Sequence, residues 1–157
     1  MKLSTKGRYA VTAMMDIAMH DHIRPVTLAG ISECQDISLS YLEQLFAKLR
    51  KASLVQGVRG PGGGYRLARP ATEISVAHII KAVDENLDMT KCGGSADCND
   101  GKPCLTHQLW MELSNQLYDF LDSITLHEFV NRPEIQALVK SNRDISVKGD
   151  SRSAYRI

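Results

Sequence analysis

The sequence predicts a mainly α-helical chain carrying one small β-hairpin. Three observations predict it. Apolar residues recur at helical spacing in several segments, most clearly from Ala10 to Ala18, Leu42 to Leu49 and Trp110 to Ile124. The cluster Gly60-Pro61-Gly62-Gly63-Gly64 separates two short strand-like runs, Leu54 to Val58 and Tyr65 to Leu67. Immediately before that hairpin stand a short helix, a tight turn and a longer helix, the order of a winged helix-turn-helix.

At 157 residues the chain can bury one ordinary core, or a small domain with an oligomerising arm. No apolar run approaches membrane length. The opening stretch, MKLSTKGRYAVTAMMDIAMH, reads as an amphipathic helix and not as a signal peptide, so the cytoplasm is the expected compartment. Residues 1–70 carry ten Lys/Arg against five Asp/Glu, and the remainder nine against thirteen. A basic first half beside an acidic second half fits nucleic-acid contact by the first alone.

The first helix packs through Ala10, Ala13, Met14, Ile17 and Ala18, with Ser4 or Thr5 as its cap. His20 and His22 fall in the turn after it and are expected in solvent. Thr27 can cap a short helix facing inward through Leu28 and Ile31. Cys34, in that helix, is expected to be a small buried apolar residue and not a ligand. Ser38 can cap the next helix, whose inward stripe is Leu42, Leu45, Phe46 and Leu49. Its outward positions include Ser40, Tyr41, Glu43, Gln44 and Lys48. Gln44 and Ser40 can bond base edges, and Glu43 can accept from cytosine N4 while being repelled by phosphates. Glu43 would thus penalise many sequences.

The hairpin that follows is not a phosphate loop, because it leads into no helix and lacks the Lys-Ser/Thr pair. As a wing it would present Arg59 at its base to a narrow minor groove, with Arg66 on the return strand. A short helix follows over 74–83, starting near Ser75. Asp84, Glu85 and Asp88 come next and are expected to be solvated.

The segment KCGGSADCNDGKPCLTHQLW then places Cys92, Cys98, Cys104 and His107 within sixteen residues. Three thiols and an imidazole can ligate a soft or borderline metal centre. The intervening Gly, Ser, Asp, Asn and Pro residues can bend the backbone so that the sulfurs converge. His107 is expected on the first turn of a helix. Zinc sites commonly contain closer Cys pairs than these, and the wide spacing suits an iron–sulfur cluster. Zinc, a thiol redox switch and two disulfides remain alternatives on spacing alone.

The helix after the loop has apolar residues at Trp110, Leu113, Leu117, Phe120 and Ile124, a seam suited to pairing with a twin. Thr125 to Glu128 forms a capping box for another short helix, in which His127 is expected in solvent. Pro133 can start a last turn. From Lys140 onward the composition is polar and aperiodic, which predicts a disordered tail.

These residues carry a family resemblance. KGRYAVTAM, ISLSYLEQLF, VRGPGGGYRL, AVDE and the Cys92, Cys98, Cys104, CLTH, LW run, in this order and spacing, resemble the IscR-type iron–sulfur cluster regulators. The likeness covers residues 1 to about 130, and Cys34 is not part of it. It implies a homodimer with a 2Fe–2S cluster in each subunit, held by Cys92, Cys98, Cys104 and His107. It implies a transcription regulator, not an enzyme, that represses cluster-assembly genes when loaded. The cluster-free form would still bind a second promoter class, and cluster-assembly proteins would be the donors. The family's readers of double-stranded DNA map onto the 38–44 segment, with Ser38, Ser40, Tyr41, Glu43 and Gln44, and onto Arg59. The expected organisation is therefore a winged helix-turn-helix DNA-binding domain over 1–70, then a linker helix, cluster-binding loop and dimerisation helix over 71–131. A largely disordered tail would occupy 132–157.

Overall fold

A computed structural model describes residues 3–148, with side-chain surroundings as far as residue 141. Among these residues seven α-helices and one hairpin follow in chain order. They are α1 (Thr5–His20), α2 (Leu28–Gln35), α3 (Leu39–Lys51), β1 (Val55–Val58), β2 (Gly64–Leu67), α4 (Val76–Ala82), α5 (His107–Asp122), α6 (Leu126–Val130) and α7 (Pro133–Lys148).

Helix α1 lies at the centre. Ala10, Ala13, Met14 and Ile17 are wholly buried along one stripe, and α1 touches α2, α3, α4, α6 and β2. Two alanines on that stripe let neighbouring backbones approach, while Met14 and Ile17 fill the gaps. Helix α3 answers with Leu42, Leu45, Phe46 and Leu49, all buried, so its opposite side is left to solvent. Phe46 meets Tyr65 of β2 edge-on, ring centroids 4.9 Å apart.

The caps follow local chemistry. Thr27 accepts the Gly30 N–H at 3.1 Å, and Asp36 ends α2 in the left-handed region at φ 53°. That break returns Ile37 to the core and leaves Cys34 exposed, not buried as expected. Ser75 and His78 form a reciprocal capping box on α4. At α6, Thr125 accepts the Glu128 N–H at 3.1 Å, while the Glu128 carboxylate lies 3.6 Å from Arg132.

The wing is antiparallel, with Val55 opposite Leu67 and Val58 opposite Gly64. Val26 adds a bridge that the sequence does not announce, exchanging two backbone bonds with Tyr65 at 2.9 and 2.7 Å. Gly64 is needed there, since a Cβ would stand 2.5 Å from the Val26 carbonyl oxygen. Arg66 turns inward and donates to the Asp21 carbonyl.

Two further expectations are corrected. His20 is not a solvated turn residue. It ends α1, is 9 % exposed, and its Nδ1 lies 2.7 Å from the Asp16 carbonyl and 3.2 Å from the Asp16 carboxylate. Gln35 donates to the same carboxylate at 3.0 Å, so a buried polar group ties α1 to the end of α2. The polar tail is also shorter than expected. Pro133 opens a 16-residue helix that continues through Lys148, and 149–157 lie outside the described residues. Among the described residues no helix is long and apolar enough to cross a membrane.

Two predictions follow from the packing. Phe46→Ala removes a wholly buried ring and is expected to cost about 3–5 kcal/mol, read by urea denaturation. The hydrogen bond to Asp16 raises the His20 pKa against the opposing effect of burial. That stabilisation is complete below the unfolded value and fades as pH rises through the higher folded one. Unfolding free energy is therefore expected to fall as pH rises past the ordinary imidazole range, and to fall less in His20→Gln. Equal slopes in the two proteins would discard this role.

Candidate functional site

Two exposed features stand out, a row of polar side chains on α3 beside the wing and the cysteine loop between α4 and α5. On α3, Ser38, Ser40, Glu43 and Gln44 are exposed. Ser38 occupies the N-cap position, but its hydroxyl makes no cap bond and pairs with Ser40 Oγ at 3.1 Å. Tyr41 differs from its neighbours. It is half-buried, and its ring packs edge-on against Tyr9 of α1 at 5.9 Å. Arg59 is exposed where β1 leaves the hairpin. Buried leucines and Phe46 on one side of α3 thus leave a row of polar side chains on the other.

The cysteine loop is built from turns. Asp88 Oδ1 accepts both the N–H and the hydroxyl of Thr90, each at 2.7 Å. The Thr90 hydroxyl in turn accepts the Gly94 N–H at 2.8 Å. Ser95 donates to the Cys92 carbonyl at 2.7 Å, and Asn99 and Lys102 exchange two backbone bonds at 2.9 Å. Gly93 and Gly94 take φ of 64° and 85°, which lets the chain fold back directly after the first cysteine. The Met89 N–H donates to Ser114 of α5 at 2.8 Å, and the Trp110 indole donates to Thr106 at 3.0 Å. The loop is thereby fixed to the first turns of α5.

His107 begins α5, as its place after the loop predicts. Its Nδ1 lies 3.5 Å from Cys92 Sγ and 3.7 Å from Cys98 Sγ. Ligand atoms of Cys92, Cys98 and His107 all fall within 4.8 Å of one another. The Cys104 sulfur stands outside that group, 3.8 Å from the Thr106 hydroxyl, while the Cys104 N–H donates to Cys98 Sγ at 3.0 Å. A cavity of about 270 Å³ opens here, lined by Met89, Thr90, Cys98, Cys104, His107 and Trp110 among others.

The thiols differ electrostatically. Burial works against a Cys92 thiolate, but the Ala96 and Gly94 N–H groups and the Thr90 hydroxyl prevail and lower its pKa to about 6. The Cys104 N–H favours a Cys98 thiolate, yet the neighbouring Cys104 and Cys92 sulfurs oppose it, and Cys98 is raised. Cys104 is lowered, first by its bond with Cys98. Cys92 and Cys104, which lean toward thiolate, suit a cation, since the thiolate is the ligand form. Sulfur and imidazole donors converging on a cavity can hold a soft or borderline metal or a cluster.

Sequence reasoning missed the supports. Asp88 and Thr90 were readable as an Asx turn from Asp-Met-Thr. The role of Thr106 depends on the indole of Trp110, one helical turn away, and carries no local signal. Asp84 and Glu85 are also not merely solvated. Asp84 pairs with Lys48 at 2.8 Å, and Glu85 accepts the Gly7 N–H at 3.1 Å.

Residues 3–132 match the model of the Rrf2 family of iron-dependent transcriptional regulators. The chain is 54% identical over 156 residues to the HTH-type transcriptional regulator IscR of Vibrio atlanticus, covering 99% of this chain and 90% of that one. It is 61% identical over 135 residues to IscR of Vibrio vulnificus, covering 86% and 80%. Among solved structures, T. potens IscR is similar at 35% identity and TM-score 0.68, covering 99% of this chain and 97% of the other. CymR, the global cysteine regulator of B. subtilis, is similar at 31% identity and TM-score 0.71, covering 82% and 95%. These relatives are regulators, not enzymes. With its winged fold and a family match over most of its length, the chain belongs to the Rrf2 family of transcriptional regulators, on the IscR-type side.

Proposed function

We propose that the chain is a homodimeric regulator that binds double-stranded DNA and senses iron–sulfur cluster supply. A 2Fe–2S cluster would be held by Cys92, Cys98, Cys104 and His107. The observation that carries this reading is the convergence of Cys92, Cys98 and His107 within 4.8 Å beside Cys104. A bound 2Fe–2S core supplies a compact inorganic centre with several attachment points and a net charge of about −1 with three thiolates and a neutral histidine. The loaded form represses cluster-assembly genes, and the cluster-free form binds a second promoter class. Cluster-assembly proteins act as donors, in the cytoplasm.

The chain's own residues do the reading. Ser40 and Gln44 offer hydrogen bonds to base edges, and Ser38 stands at the start of the same helix. Tyr41, braced on Tyr9, borders that surface. Arg59, exposed directly after β1, would enter the minor groove. Glu43 rejects sites that cannot donate to its carboxylate. Helix α5 has no buried residue, and Leu109 and Phe120 on it are 56% and 62% exposed. This supports α5 as the pairing element, because a helix with such a seam needs a second surface. Two reading heads then address half-sites about one DNA turn apart, roughly 34–36 Å.

Protein purified without air should contain iron and acid-labile sulfide in near-equal amounts. Zinc without sulfide would replace the sensing reading with a structural ion. Cys98→Ala is expected to lose cluster-dependent repression in a reporter assay and to keep binding to the second promoter class. Loss of all DNA binding would contradict the loop as a switch. Glu43→Ala is expected to narrow the affinity difference between preferred and mismatched duplexes by about 1–3 kcal/mol, measured by competition binding. An unchanged difference would return Glu43 to an ordinary surface residue.

A further inference from the structure

Asp84 and Glu85 lie outside both the reading surface and the cysteine loop, yet they touch the elements on either side. Asp84 adopts φ 56°, and the N–H groups of Asp84 and Glu85 return to the carbonyls of Lys81 and Ile80 at 3.1 Å. This reversal lays the pair across the open end of α1 and the later turns of α3. The Glu85 carboxylate accepts the Ser4 hydroxyl and, at 3.1 Å, the Gly7 N–H. It thereby does for α1 what the Ser4 side chain does not, satisfying an N-terminal donor with an anion. Asp84 takes Lys48 of α3 on its carboxylate at 2.8 Å and Lys6 of α1 on its carbonyl at 2.9 Å. The Lys48 bond holds Asp84 below the ordinary carboxylate range, and the Ser4 bond does the same for Glu85.

Glu85 caps α1, but the exposed Asp84–Lys48 pair beside it contributes little to stability, so stability alone does not explain why the two acids converge on α1 and α3. Gly7 is fitted to it. A Cβ there would stand 2.9 Å from the Glu85 oxygen and 3.1 Å from Ile80 Cδ1. Beyond Glu85 a hydrogen-bonded strap leads to the loop. The Asp88 N–H donates to Asn86, Thr90 donates to Asp88, and Gly94 donates to Thr90. The chain from Glu85, braced by these short-range bonds, thus runs directly from the contacts with α1 and α3 to the backbone around Cys92.

We propose that Asp84 and Glu85 are positioning residues that couple the arrangement of the cysteine loop to the presentation of α3. The proposal rests on the loop being the sensing element and names the joint through which it acts. Coupling of this kind is reciprocal, so DNA held by α3 must alter the loop as the loop alters DNA binding.

The test uses the full chain, free of cluster, and a duplex that the wild type selects from a random pool. Cys92 alkylation by iodoacetamide is followed by peptide mass spectrometry with and without saturating duplex. In the wild type the duplex is expected to change the Cys92 rate about fivefold or more. In Glu85→Gln, Asp84→Asn and Gly7→Ala the change should fall below about twofold, with duplex affinity and melting temperature near wild type in Asp84→Asn. Asp84→Asn alters only an exposed side chain and keeps the test open should Gly7→Ala fail to fold. No change in the wild type, or a wild-type response in the variants, overturns the proposal. A second arm compares loaded and cluster-free wild type on a panel of duplexes. Equal preference there, with the Cys92 response intact, would remove the sensing function and leave the joint standing.

Discussion

The burial of one face of α1 is the constraint on which the remaining architecture depends. Ala10, Ala13, Met14 and Ile17 form its contact stripe, and the reading helix, the wing, the linker helix and α6 all rest on that helix. Because these elements share one support, the placement of α3 is not independent of α4. The inward half of α3 is apolar and fully committed to the core, which leaves its outward half free of packing duties. The same helix can therefore be rigid in position and variable in its exposed side chains. A site on a loop would hold its side chains less firmly.

The cysteine loop solves a different problem. Its ligand atoms come from a turn-rich segment with little core of its own, so its order comes from short-range hydrogen bonds. Asp88, Thr90 and Ser95 bind backbone groups within a few residues, while Ser114, Thr106 and Trp110 connect the segment to α5. His107 is the exception, being set on a helix. Of the three donors that converge, one is thus held by regular structure and two, Cys92 and Cys98, by turns, while the Cys104 sulfur stands outside the group.

Much of this was legible in the sequence, for identifiable reasons. The stripes of α1 and α3, the Thr27 cap and the Gly60–Gly64 turn each declare themselves within a few residues. Cys92, Cys98 and His107 were readable because donor type and spacing are local properties. What escaped depends on distant partners. The Val26–Tyr65 bridge joins positions 39 apart, and Glu85 finds the start of α1 across 78 residues. His20 gave no sign that Asp16, one turn back, would share its burial. Cys34 was misplaced because Ile37, beyond the left-handed Asp36, took the core position instead. The helical continuation to Lys148 escaped because polar composition alone was read as disorder, although Pro133 marks a favourable start.

The root of the wing has a mechanical consequence. Val26 fastens β2 to the domain through two backbone bonds to Tyr65, the Asp21 carboxylate accepts the Leu67 N–H, and Arg66 adds a third tie on the same side. Any bending is therefore confined to the short span from Arg59 to Gly63, where a single Gly63-to-Gly60 bond closes the turn. Arg59, exposed at the start of that span, sits on a brief lever with a clamped fulcrum, so fixing its side chain gives up little backbone entropy.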